Sequence, residues 1–259
     1  MKTALITGAS NGIGLELARL FATDKINVIL VARSKDKLSR IASDFEQQYG
    51  IKALPVSADL SRPGSSHALF EKIRENNHMD VEYLVNNAGF GICDTINDTN
   101  IEKTSAMLQL NMVSLAELTM LFLPVMKKKR SGRILNIGST AGYVMPHGHE
   151  VAYAATKSFV VSFSEGLHFE LKGTGVSCTH LSPGPTQSSF FDTAGAKSDA
   201  RLRNMLMDTA EVAEKGYRAM MAGKKHTIPG ISNKLLAFLA SRVCPSRKLV
   251  YSLSGAFVK

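Results

Sequence analysis

The stretch Thr7-Gly8-Ala9-Ser10-Asn11-Gly12-Ile13-Gly14 constrains this chain more than any other. Residues 2–7 ahead of it read as a short apolar strand. Residues 13–22 behind it, apolar at 13, 15, 17, 18, 20, 21 and 22, read as a helix buried on much of its surface. A strand, a glycine-rich turn and a helix start are the parts of a dinucleotide-phosphate site. Glycines let the backbone approach a diphosphate, and the first helical N–H groups face its negative charge. Gly8, Ser10, Asn11, Gly12, Ile13 and Gly14 are the candidate contacts. The spacing is Gly-x3-Gly-x-Gly, not the commoner Gly-x-Gly-x2-Gly, and glycine turns also occur here for structural reasons alone.

Residues 27–32 form a continuous apolar run, as suits a strand covered on both faces. Arg33 ends it. In dinucleotide folds that strand end meets the adenosine ribose, where a carboxylate binds a 2′-hydroxyl and an arginine a 2′-phosphate. With no acidic residue before Asp36, Arg33 favours NADP(H) over NAD(H); the alternative is an exposed loop arginine. Ser34 can cap a helix reaching about Gln48, which Gly50 ends. A third strand at 51–58 leads to Asp59 and Leu60, where the carboxylate could accept from an adenine amino group or cap the next turn. After a helix at 67–77, a strand at 83–85 runs into Asn86-Asn87-Ala88-Gly89.

A long helical pattern covers 100–129, with Leu108, Met112, Leu115, Leu118 and Phe122 on one side, and Pro124 predicts a kink or an earlier end. Asn111 inside it is a poor helix former: either a surface amide, or one holding a water or a backbone group in a site. The strand at 132–139 ends in the hydroxyl of Ser139. Tyr143, Pro146, His147 and His149 follow; His-Gly-His has no third ligand nearby, so these read as loop residues facing substrate. A helix over 151–172 carries Tyr153 and Lys157, four apart and therefore on one face. The strand at 176–181 ends in Pro183-Gly184-Pro185-Thr186. Strands and helices alternate throughout, which predicts an α/β fold with a parallel sheet and one domain over 1–259.

With 259 residues, 44% of them apolar, there is ample material for one large core. The net charge of +9 invites a nucleic-acid or acidic-membrane reading. Yet the basic residues are scattered, and Lys127-Lys128-Lys129-Arg130 falls where a helix ends and cations offset its dipole. No nucleic-acid partner is expected; an anionic, phosphorylated cofactor is compatible. Cys93, Cys178 and Cys244 are odd in number and far apart, which argues for a reducing, cytoplasmic setting. Too few apolar residues precede Gly8 for a signal peptide, and no uncharged apolar run is long enough to predict a membrane span.

In this order and spacing, Thr-Gly-x3-Gly-x-Gly, Asn-Asn-Ala-Gly, a mid-helix Asn, Ser, Tyr-x3-Lys and Pro-Gly resemble the short-chain dehydrogenase/reductase superfamily over about residues 1–190. The resemblance implies a Rossmann-type, doubly wound parallel sheet of about seven strands with helices on both faces, and a nicotinamide cofactor. It implies that Asn111, Ser139, Tyr153 and Lys157 form the catalytic set. Cofactor contacts are then expected from the glycine turn, Arg33, Asp59, Leu60, Asn87, Ala88, Gly89, Tyr153, Lys157, Pro183, Gly184, Thr186 and Ser188. Asn11 stands where many NADP-preferring relatives place a basic residue, so the phosphate expectation rests on Arg33; Ser188 stands where the family often has Thr. Relatives pair the helices at 100–129 and 151–172 across a dyad, which implies a homodimer or homotetramer.

The chemistry fits these residue types. Reducing a carbonyl needs a hydride from the nicotinamide and a proton for the developing alkoxide. A tyrosine titrates at about 10, and the charge of Lys157 one helical turn away favours the phenolate. The same ammonium can hold the nicotinamide ribose. Ser139 would hydrogen-bond the substrate oxygen, and Asn111 would hold a water linking Lys157 to solvent. No metal is required. Beyond residue 190 the pattern fades. Phe190, Phe191 and Met205 to Met207 suggest a lid over 187–207 above an apolar pocket, followed by a strand at 226–229 and helices at 232–243 and from 247 onward. The expected activity is NADP(H)-linked hydride transfer to a carbonyl or from a secondary alcohol with an apolar portion, such as a 3-oxoacyl, steroid-like or other ketone. The alternative is a dinucleotide-binding regulator that keeps the fold without turnover.

Overall fold

Seven strands, β1 (Thr3–Thr7), β2 (Asn27–Ala32), β3 (Ala53–Ser57), β4 (Val81–Asn86), β5 (Gly132–Ile137), β6 (Val176–Leu181) and β7 (His226–Thr227), pair into a single sheet. Their order is β3-β2-β1-β4-β5-β6-β7 and every pairing is parallel. A computed structural model describes residues 2–75, 80–144, 149–187 and 206–240. All of β1 and nearly all of β2 is buried, as a central strand with helices on both faces requires. The strand order reverses between β1 and β4, the position at which open α/β sheets form a ligand crevice outside the carboxyl ends of their strands.

Helices α1 (Gly12–Thr23) and α2 (Lys35–Tyr49) cover one face together with α7 (Thr209–Met221); Phe21 of α1 meets Tyr217 of α7 edge-on with ring centroids 4.9 Å apart. The other face carries α3 (Ser65–Glu75), α5 (Leu115–Lys129) and α6 (Val151–Glu170), packed through Leu69, Leu118, Phe122, Met126 and Leu167. Between α4 (Ile101–Leu108) and α5 the chain makes a π-helical turn, Gln109–Ser114, and α8 (Ile231–Phe238) follows β7. The stretch 101–129 is long and apolar enough to cross a membrane by length and composition. Here Leu118, Phe122 and Met126 spend that apolarity on the sheet core.

Several expectations change. Of the kink or earlier end expected at Pro124, the earlier end does not occur; α5 runs through it to Lys129. Proline leaves the carbonyl four residues back without its usual donor, and both Pro124 and Met120 are exposed, so water can serve that carbonyl. Gly50 closes α2 at φ +66 as predicted, but Ser34 occupies the N-cap without a side-chain cap bond. The third strand is shorter, at Ala53–Ser57, and the fourth longer, at Val81–Asn86. Helix α7 was not anticipated. The 188–205 part of the expected lid, and the helix from 247 onward, lie outside the described residues.

Candidate active site

At the β1 carboxyl end the backbone turns with Gly8 at φ +67 and Gly12 at φ +54, conformations that a side chain disfavours. A Cβ on Gly8 would lie 2.7 Å from Asn87 Nδ2, and one on Gly14 would lie 2.4 Å from the Gly8 carbonyl oxygen. Asn87 holds the far wall, its Nδ2 donating to the carbonyls of Thr7 at 2.8 Å and Gly8 at 3.3 Å. Thr7 completes the joint: its hydroxyl accepts from the N–H groups of Asn87 and Ala88, both at 2.9 Å, and donates to Val85 O. The glycines thus let β1, α1 and the Asn87–Ala88 segment pack closely at the opening of α1, whose first turn holds no acidic residue. A helix start with no carboxylate beside its N–H groups fits a bound diphosphate.

Most of the remaining expected cofactor residues follow the carboxyl ends of β1, β2, β3 and β6. Ser10 is half-buried, Asn11 exposed, and Ile13 half-buried on α1. Arg33 is exposed at the end of β2, its carbonyl held by Ser57 Oγ at 2.9 Å. Its guanidinium is one of the positive charges that hold the Asp59 carboxyl below its usual range, after the hydrogen bond from Ser61. Asp59 takes the capping alternative: Oδ1 accepts from Ser61 N at 3.1 Å and Ser61 Oγ at 2.6 Å. Leu60 buries its side chain in the core, and its carbonyl accepts from Ser114 Oγ. The Pro183 carbonyl accepts from Thr140 N, and Thr186 Oγ1 donates to Gly184 O. Ser188 lies outside the described residues.

Tyr153 and Lys157 project from α6 into this crevice, with Lys157 Nζ 5.8 Å from the Tyr153 ring centroid. Both are buried. Burial pushes the Tyr153 phenol up, while a hydrogen bond from Ser139 pulls it partly back. Burial pulls the Lys157 ammonium down to about 8, and Nζ donates to the Ile137 carbonyl at 3.0 Å. Ser139 caps a short 3₁₀ turn, Thr140–Gly142, its Oγ accepting from Ala141 N; Ser158 Oγ ties that turn to α6 through Gly142 O. Asn111 lies in the π-helical turn. Its Nδ2 donates to Phe90 O at 2.9 Å and Thr156 Oγ1 at 3.1 Å, and its Oδ1 accepts from Phe90 N at 3.2 Å. A Cβ on Gly89 would stand 3.0 Å from Asn111 Oδ1 and 3.7 Å from Lys157 Nζ, so the two converge on that glycine.

Behind this set, Asn86 Nδ2 donates to Asn136 Oδ1 at 2.9 Å and Thr119 Oγ1 at 3.1 Å, and Asn136 Nδ2 donates to Ser164 Oγ at 2.9 Å. This buried chain of amides fixes α6 against β4 and β5. Asn136, Thr7 and Thr156 were missed as site-builders; the signal for Asn136 was an amide inside an otherwise apolar strand. Ile92, Met107 and Tyr153 form a small apolar cluster with Phe90, Ala141 and Ala152. At its edge the Cys93 side chain hydrogen-bonds to Glu150, and burial raises both groups. Of the two loop histidines at 147 and 149, only His149 is described, and it is exposed.

A family profile described as short chain dehydrogenase matches residues 2–199. The chain belongs to this family. It is thereby an oxidoreductase, as its relatives' names also indicate. A very-long-chain 3-oxoacyl-CoA reductase of Anas platyrhynchos is 35% identical over 70% of this chain and 58% of its own length, so the match spans little more than half of that relative. An NADP-dependent 3-hydroxy acid dehydrogenase of Schizosaccharomyces pombe is 34% identical over 73% of each. A short-chain dehydrogenase from Sphingobium yanoikuyae, solved in complex with NADPH, is 29% identical with a TM-score of 0.82, covering 99% of this chain and 94% of that one.

Proposed function

We propose that this short-chain dehydrogenase uses NADP(H) to interconvert a ketone and a secondary alcohol with an apolar portion, and that it runs as a reductase at neutral pH. The observation that carries this reading is the buried pair Tyr153 and Lys157 on α6, Nζ 5.8 Å from the phenol ring, with the half-buried Ser139 hydrogen-bonded to that phenol. The nicotinamide, when bound, supplies the hydride. Gly8, Gly12 and Gly14 offer backbone to the diphosphate, Arg33 meets the 2′-phosphate, and Asn87 to Gly89 line the path toward Lys157, which holds the ribose. Ser139 Oγ donates to the substrate oxygen, where charge grows.

Tyr153 gives that oxygen its proton. Burial pushes the phenol up, so at neutral pH Tyr153 carries the proton that a general acid needs to give in carbonyl reduction. The apolar group of Phe90, Ile92 and Met107 beside Tyr153 favours a carbon-rich substrate such as a 3-oxoacyl compound or a bulky ketone. The names of the duck reductase and the yeast dehydrogenase support the same class.

One experiment tests the reading: NADPH and NADH oxidation against a panel of apolar ketones, by wild type, Tyr153→Phe and Arg33→Ala. Wild type is expected to turn over with NADPH, and Tyr153→Phe to fall by about a hundredfold or more. Arg33→Ala should weaken NADPH by roughly ten- to a hundredfold, the worth of a charge-assisted phosphate contact, and leave NADH nearly unchanged. Cofactor binding with no turnover of any ketone would favour the regulator instead. Equal loss of both cofactors in Arg33→Ala would remove the phosphate role.

A further inference from the structure

The sheet edge carries a second cluster of chemical groups, separate from the Tyr153 site. His180, near the end of β6, pairs in register with His226, the first residue of β7. Their rings stack with centroids 5.5 Å apart and planes 25° apart. Glu165, twelve residues after Tyr153 on α6, faces them: one carboxylate oxygen and one nitrogen of each imidazole all lie within 4.8 Å of one another. Parallel pairing places the two histidines side by side, and α6 crossing over β6 brings the carboxylate to them.

His180 makes this more than a coincidence of polar groups. It is fully buried. Its Nε2 is 2.8 Å from the Tyr143 hydroxyl. Its Nδ1 is equally buried and has no hydrogen-bond partner among the described residues. A buried nitrogen left in that state is costly unless something occupies it. An Nε2–H donated to Tyr143 would leave the Nδ1 lone pair free to accept, the arrangement in which an outer partner fixes the tautomer of a metal-binding histidine.

We propose that Glu165, His180 and His226 bind a divalent cation of the zinc, cobalt or nickel class. Two imidazoles and one carboxylate are a borderline donor set, suited to these metals and poorly suited to magnesium or calcium. Three ligands leave a fourth position for water. Tetrahedral ligands stand about 3.3 Å apart, so the cluster must close by about 1.5 Å. His226 is exposed and Glu165 half-buried on a long side chain, so rotamer changes can supply that movement. Lys225 now lies 2.9 Å from Glu165 as its counter-ion, and the metal displaces it. A bound ion would join β6, β7 and α6, and through Tyr143 would brace the turn that begins at Ser139.

The test uses the full-length chain stripped with chelator, titrated with Co²⁺ alone and followed by its visible ligand-field absorption. Wild type is expected to bind one equivalent. His226→Ala and Glu165→Gln, both at accessible positions with folding checked by circular dichroism, should each weaken Co²⁺ by at least about tenfold. The absence of saturable Co²⁺ binding overturns the proposal, as does binding that either variant leaves unchanged. Neither cofactor nor ketone enters the measurement, so its failure and that of the proposed activity are separate outcomes.

Discussion

Lys157 is buried at a cost. Its ordinary value of 10.5 falls to about 8 because burial takes its ammonium out of water, and the Ile137 carbonyl replaces only part of that hydration. Between those two values the unfolded chain binds more protons than the folded one, so stability rises with pH there. The penalty is fully present below about pH 8 and is relieved as pH climbs toward 10.5, and it amounts to about 3 kcal/mol at most. Urea unfolding of wild type and Lys157→Met across pH 7 to 10 should show wild type gaining on the variant only above about pH 8. A difference that stays flat would mean the ammonium is not desolvated. The same penalty explains why ribose hydroxyls and a phenolate would be welcome neighbours for this side chain.

At the scale of elements, the π-helical turn Gln109–Ser114 places Asn111 where a regular helix would not. The extra residue per turn swings the amide inward to Phe90 and Thr156, so it builds the site wall. Asn111→Leu would leave the Phe90 N–H and C=O without partners, at a cost of roughly 2–5 kcal/mol in denaturant unfolding. A loss under about 1 kcal/mol would show that the wall stands without it. The sequence marked Asn111 as out of place because an amide disturbs an apolar pattern, but one inserted residue hardly alters that pattern, so the turn itself could not be read. Strand β2 was legible because both its faces are buried and Val28 to Ala32 run apolar without a break. Helix α7 was not, because its buried face includes Ala213, Gly216 and Ala219, residues that carry little hydrophobic signal. The site residues came from motif spacing, whereas Thr7 and Asn136 act through hydrogen bonds between distant strands, which no local pattern reveals.

For the whole molecule, the outer helices leave apolar side chains in water: Ile101 is 76% exposed and Met120 59%, with Val113 and Val151 also exposed. They stand on the helical stretches that the resemblance pairs across a dyad, and we propose that a second copy covers them. Light scattering at micromolar concentration should give a dimer or larger, and Met120→Lys should shift it toward monomer; a wild-type monomer would end the idea. Thr186 bridges Met207, and backbone bonds run from Gln187 N to Met207 O and from Met207 N to Pro185 O. This clasp is built from backbone groups, so the side chains at Gln187 and Met207 can be exchanged, short of proline, without loosening it.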